Sequence, residues 1–127
     1  MTGLPAWIAA ALQSKLENVS RNVLRDRAQA ISDAYRAGGS SEIIRSDIDA
    51  LAYAVVRLPA TYAAVHAALS NTVEMAPEFK PQSILDIGCG PGTAAWAGMD
   101  IWPSVTKATL VDRNPRLLDF ARELGGS

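Results

Sequence analysis

The sequence is poor in the residues that build covalent or metal-held frameworks. Its 127 residues include one cysteine, Cys89, and one histidine, His66. A single cysteine excludes a disulfide framework and a four-cysteine zinc site within the chain. His66 has no second imidazole with which to share a metal, so no metal site is expected. An excess of charge is missing too. Twelve basic against 13 acidic residues leave a net charge of −1, so no global field draws the chain to nucleic acid or to an anionic membrane. No apolar run approaches the ~18 residues of a membrane span, and no membrane partner is expected. The apolar start (Leu4, Trp7, Ile8, Leu12) has no basic residue before Lys15. That argues against a secretory signal, and the lack of arginine there argues against a transit peptide. The default expectation is a cytoplasmic protein. Alanine is abundant and arginine outnumbers lysine nine to three, a bias that suits a GC-rich bacterial genome.

What is present is apolar and periodic. Hydrophobic residues make up 49% and charged residues 20%, which excludes a disordered charged tail. Two compositional regions meet near Pro77–Pro81. The first reads as helix throughout. Pro5 opens a helix that runs to about Glu17. Ser20 is a candidate N-cap for a second, carrying Val23, Leu24, Ala28, Ile31 and Tyr35 and ended by Gly38-Gly39. A third apolar series spans Ile44 to Val56. Pro59 predicts a break or kink near Leu58, because the residue before proline avoids the α region. A fourth helix carries Tyr62, Val65, Leu69 and Val73. Beyond Pro81 the period changes. Ser83–Ile87 reads as a buried parallel strand, Thr93–Ile101 as a helix and Ala108–Asp112 as a second strand. Asn114-Pro115 starts a last helix closed by Gly125-Gly126. The stretch from Ser83 to Asp112 has the ~30-residue size of a βαβ crossover.

The chemistry lies in Asp86-Ile-Gly88-Cys-Gly90-Pro-Gly92-Thr93. A glycine turn between strand and helix lets a ligand approach the backbone, since no Cβ stands in the way. It also presents the free N–H groups and dipole of a helix N-terminus to negative charge. Spacing narrows the ligand class. A dinucleotide turn wants glycine at the sixth position of G-x-G-x-x-G, where this chain has Thr93. A P-loop needs a lysine, and none follows. The remaining pattern is D-x-G-x-G-x-G with Asp112 at the end of the next strand.

These residues resemble the first motif of class I S-adenosylmethionine-dependent methyltransferases. The resemblance implies a glycine loop (Gly88, Gly90, Gly92) under the methionine part of S-adenosylmethionine. It further implies Asp86 organising the loop and the ammonium group, and Asp112 binding the ribose hydroxyls. A finer resemblance spans most of the chain. Val19-Ser20-Arg21, Tyr35–Gly39, Asp49–Tyr53, Arg57–Tyr62 and Trp96 with Trp102-Pro103 are similar to a methyltransferase-like family of the small ribosomal subunit. That family implies the small ribosomal subunit or its RNA as partner, with methyl transfer or assembly as the activity. Its iron–sulfur cysteines lie downstream of these residues, so no cluster is carried over. The implied fold class is α/β: a helical region, 1–80, followed by the first βαβα of an incomplete Rossmann-like, S-adenosylmethionine-binding domain, 81–127. Acceptor-placing residues of such domains usually follow the fourth strand, so no catalytic residue is named and the chain alone is expected to be inactive.

Structural readings stand beside these. Asp112 also suits a cap on the Asn114-Pro115 turn, and Asp86 suits pinning the loop. Cys89 reads as small inert packing, with no local histidine to activate it. Lys15, Arg21, Arg25 and Arg27 suit RNA phosphate, but Glu17 and Asp26 dilute them, and a solvated helix face serves as well. Trp96 and Trp102 suit either base stacking or helix-to-sheet packing. Two parallel strands leave open edges and faces. The expectation is therefore a C-terminal part that frays, pairs with a second copy through the incomplete sheet, or packs on the helices.

Overall fold

The computed structural model describes residues 3–126. Five helices and two strands follow one another as α1 (Ala6–Leu16), α2 (Arg21–Arg36), α3 (Asp47–Met75), β1 (Ser83–Ile87), α4 (Thr93–Ile101), β2 (Lys107–Val111) and α5 (Pro115–Gly125), with a 3₁₀ turn at Ser41–Ile43. Local chemistry sets these boundaries. The Ser20 hydroxyl accepts from the Val23 amide at 3.5 Å, and that of Ser46 accepts from the Asp49 amide at 3.1 Å. Both satisfy amides that a helix start would otherwise leave free. Helix α2 stops where Gly38 turns left-handed at φ 85°. Gly39 then brings its amide to the Ala34 carbonyl at 2.8 Å.

One expectation fails here. Helix α3 runs through Pro59 without interruption, so the third and fourth expected helices are a single element of 29 residues. The residues on both sides of the proline explain this. Ala54, Leu58 and Tyr62 are all buried in the core, and their packing holds the two halves of the helix against the cost of one missing amide. The fused helix is long and apolar enough to cross a membrane by length and composition, with a mean hydropathy of 1.3 over its best window. Here it is the core helix of the fold: Ala50, Leu51, Ala52, Ala54 and Leu58 join Ile8 and Leu12 of α1 and Ile31 of α2.

That core does not stop at Pro81. Ala97 of α4 and Leu117, Phe120 and Leu124 of α5 belong to the same buried cluster. The C-terminal part thus packs on the helices, one of the outcomes expected for it. An ion pair with a buried carboxylate and a partly exposed arginine anchors the N-terminal side. Asp49 takes the Arg27 Nε at 2.5 Å and the Arg45 amide at 3.0 Å. Burial pushes its carboxyl up, but those hydrogen bonds and that of Ser46 outweigh it, and the net effect lies below the ordinary value.

Strands β1 and β2 are parallel, with Ser83 opposite Lys107 and Ile87 opposite Val111. Alternation gives the sheet two unlike faces. Ile84, Asp86, Ala108 and Leu110 are half-buried, whereas Leu85 and Ile87 are 64% and 75% exposed. Helix α4 lies close on the covered face, since a Cβ at Gly98 would come within 2.8 Å of Ile84 Cδ1.

Candidate functional site

The carboxyl ends of the two strands carry the glycine loop. The amides of Gly88 and Cys89 both donate to the Val111 carbonyl, at 2.7 and 3.0 Å, so the loop starts by folding over the end of β2. Gly88, Gly90 and Gly92 have φ of 75°, 54° and 88°, a region in which side-chain-bearing residues are strained. Beyond that shared strain the three differ. A Cβ at Gly88 or Gly90 would meet nothing within 4 Å, whereas one at Gly92 would lie 2.6 Å from Trp96 Nε1. The first two glycines therefore border an open cradle, and the third makes room for an indole. Trp96 is fixed in place by donating from Nε1 to the Pro91 carbonyl at 3.0 Å and by an edge-to-face contact with Trp7, centroids 5.6 Å apart.

Asp112 follows β2 directly. One carboxylate oxygen accepts from the Gly90 amide at 2.8 Å and the other from the Asn114 amide at 2.7 Å. It thus caps the turn before α5 and ties the loop to it. A carboxylate offers about four lone-pair sites, so acceptor capacity remains for a ligand. Asn114 continues the chain of contacts. Its Oδ1 caps α5 by accepting from Arg116 and Leu117, while its Nδ2 donates to the Ser41 and Ile44 carbonyls at 2.8 and 3.1 Å. The segment between α2 and α3 is thereby held beside the site.

Asp86, on β1, has one carboxylate oxygen buried with no hydrogen-bond partner. Burial pushes its carboxyl above the ordinary value and the nearby Asp112 charge adds to this, while a hydrogen bond from the Ala95 amide opposes both. The carboxylate thus faces the first turn of α4. Among the described residues neither Asp86 nor Asp112 has an ion-pair partner. The same environment acts on Cys89. Burial first, then the charges of Asp86 and Asp112, push its thiol up to about 11, which leaves it protonated and inert.

The five sequence candidates therefore converge: Asp86, Gly88, Gly90, Gly92 and Asp112 all lie at one end of the two-stranded sheet. The others take structural places. His66 meets Asp100 at 2.8 Å and stacks on Tyr62. Trp102 sits edge-on to Phe79. Lys15 is paired with Glu123 and Arg27 with Asp49, so half of the basic cluster is committed to the fold. Among the described residues no group of three His, Cys, Asp or Glu side chains could hold a metal. Tyr35 escaped the residue-by-residue reading as a site neighbour. Its hydroxyl is held above the ordinary tyrosine value by burial, then by Tyr53, and the Asp112 charge reaches it too. A tyrosine shortly before Gly38-Gly39 was visible, but the reach of the Asp112 charge to it was not.

The family model described as mitochondrial small ribosomal subunit Rsm22 matches residues 47–127. The chain is 38% identical over 80 residues to the human ribosome assembly protein METTL17, mitochondrial, covering 61% of this chain and 18% of that protein. It is 34% identical over 74 residues to the Rsm22-cox11 tandem protein 2, mitochondrial, of Schizosaccharomyces pombe, covering 57% of this chain and 10% of that one. The tandem protein 1 of the same yeast matches equally. The chain thus spans less than a fifth of the length of these relatives. Their names overturn the expectation of a cytoplasmic protein, since all three are mitochondrial, and lend no support to a bacterial source. The composition of the first fifteen positions carries no weight on this point in a chain that matches so small a part of its relatives.

Proposed function

This chain belongs to the mitochondrial small ribosomal subunit Rsm22 family, and from that premise we propose that it is the part of a methyltransferase-like, small-subunit assembly protein that holds S-adenosylmethionine through a Rossmann-like βαβ unit. The observation that carries the cofactor reading is the pair of carboxylates without cationic partners, Asp86 and Asp112, flanking the open cradle at Gly88 and Gly90. Two such carboxylates favour a cation between them, and S-adenosylmethionine brings both an ammonium and a sulfonium. The residues fit the group. Gly88 and Gly90 leave space for it against the backbone, Asp86 offers an unpartnered oxygen, and Asp112 keeps lone pairs for a vicinal diol.

When bound, the cofactor supplies an activated methyl group on sulfur. The residues of this chain bind and orient. Asp112 fixes the Gly90 amide and so the shape of the loop. Trp96 fills the space behind Gly92 and backs the third glycine of the loop. Methyl transfer to an activated position relies chiefly on such positioning. The partner in this reading is the small ribosomal subunit, which the name of the family prints, and within it the RNA. A second reading, an assembly factor that keeps the pocket without turnover, is favoured by the name of the human relative, a ribosome assembly protein. A third, a methyltransferase of small molecules or proteins, has no observation in its favour.

Calorimetry of S-adenosylmethionine with the chain tests the cofactor. Binding should be lost on Asp112→Ala. It should also weaken on acidification, beginning above the ordinary carboxylate range, because protonating the raised Asp86 removes one of the two charges. Absence of heat with the unaltered chain would refute the reading. Methyl incorporation into small-subunit RNA, with and without the full-length gene, separates the enzyme from the assembly factor.

A further inference from the structure

Between α2 and α3 lies a groove of about 290 Å³, near the lower end of small-ligand pockets. Ile31 and Ala52 form its buried floor and Tyr35, Tyr53, Arg36 and Arg57 its upper walls. The two tyrosine rings lie 5.9 Å apart and tilted by 34°, with Tyr35 38% exposed. Arg36 leans on Asp33 at 3.4 Å, and Arg57 makes no ion pair among the described residues. No acidic side chain lines the groove. Its charge is therefore opposite to that of the neighbouring cradle, where Asp86 and Asp112 stand without cations. The two lie within electrostatic reach of each other, since the charges of Arg57 and Asp112 both act on the Tyr35 hydroxyl.

We propose that this groove holds an unpaired nucleotide of an RNA strand, its base against Tyr35 and Tyr53 and its phosphates at Arg36 and Arg57. The inference rests on the RNA-directed reading above and names the surface that serves it. Unpaired bases are bound by stacking on aromatic rings, with arginine taking the backbone. A groove with aromatic walls, an apolar floor and two arginines matches a base joined to a phosphate. S-adenosylmethionine has no phosphate, and its cationic groups are matched by the carboxylates next door.

The test uses the full chain and a single-stranded RNA of about 12 nucleotides carrying 4-thiouridine. Irradiation should link the RNA to peptides containing Tyr35 or Tyr53. In fluorescence anisotropy, Tyr35→Leu and Tyr53→Ala should each weaken binding about 5- to 100-fold, the range that stacking of one base supplies. Arg57→Gln should weaken it and reduce the slope of affinity against salt by about one. Tyr35 and Arg57 are exposed enough for their variants to keep the native melting curve, which circular dichroism checks. RNA that binds and links elsewhere, with affinity unchanged in all three variants, overturns the groove but leaves the RNA-directed reading standing. RNA that does not bind the chain overturns both. Loss of S-adenosylmethionine binding in Tyr53→Ala with RNA binding intact overturns the inference by assigning the groove to the cofactor. Crosslinks at the groove with no cofactor binding at all support it and remove the cofactor reading alone.

Discussion

Replacing Gly92 by alanine would place a methyl group 2.6 Å from Trp96 Nε1, 2.8 Å from Cε2 and 3.0 Å from Leu110 Cδ2. The indole has nowhere to retreat. Its Nε1 is bonded to Pro91, its ring meets Trp7 edge-on, and its far edge already lies where a Cβ at Gly125 would come within 2.9 Å. The left-handed backbone costs about 1–2 kcal/mol for any side chain. Overpacking adds about 1–3 kcal/mol. Together these reach about 2–5 kcal/mol, a large share of the roughly 5–15 kcal/mol that holds a domain folded. Gly88→Ala and Gly90→Ala meet no neighbour within 4 Å, so only the backbone penalty of about 1–2 kcal/mol applies. Thermal unfolding followed by far-ultraviolet circular dichroism should therefore rank Gly92→Ala well below the other two. For a chain of this size the drop should be on the order of 10 °C, against about 5 °C for Gly88→Ala. Cofactor binding should separate them differently, with Gly88→Ala and Gly90→Ala losing it while still folded. Equal destabilisation at Gly88 and Gly92 would refute the division of the loop into a ligand cradle and an indole seat.

Two further outcomes follow from the buried groups around the loop. Asp86 binds its proton more tightly folded than unfolded, so its contribution to stability is present in acid and lost as pH rises through the ordinary carboxylate range toward the raised folded value. Asp86→Asn should therefore raise the urea midpoint at neutral pH more than in acid, while weakening cofactor binding; a less stable variant at neutral pH would mean that the charge pins the loop instead. Cys89, with its thiol pushed up to about 11, should resist iodoacetamide at about pH 8 in the native chain and react readily in urea. Native labelling at the rate of a free thiol would contradict the packed, protonated assignment.

Much of this architecture was legible because it is written in local chemistry. Ser20 and Asn114 cap the helices expected of them. The strand at Ser83–Ile87 and the helix at Thr93–Ile101 have the expected bounds. The glycine loop was legible for the same reason, since left-handed φ at Gly88, Gly90 and Gly92 is a demand that the residue type alone reveals. Pro59 was misread because its cost is local and its compensation is not. The side chains that keep α3 whole, among them Leu58 and Tyr62, derive their hold from partners on other elements. The shared core was hidden likewise: Leu124 belongs to the same buried cluster as Ile8 and Leu12, and no period in the chain announces a core shared across more than a hundred positions. The tyrosine groove needed both kinds of information, a helix register to align Tyr53 with Arg57 and the packing of α2 on α3 that sets Tyr35 beside Tyr53.

Asp112 shows why the two readings of a loop carboxylate need not compete. Its hydrogen bonds to the Gly90 and Asn114 amides use one lone pair on each oxygen. Through Gly90 it sets the cradle, and through Asn114 it governs the segment from Ser41 to Ile44 that follows α2. A turn cap is thus the precondition for a ligand site here, because the same bonds that satisfy the turn hold the open space at Gly88 and Gly90 in shape. The charge left over by that arrangement remains without a cation beside Asp86, whose own oxygen is unpartnered. Folding raises the free energy of this corner while stabilising the rest, and a cationic ligand is the chemistry that would lower it.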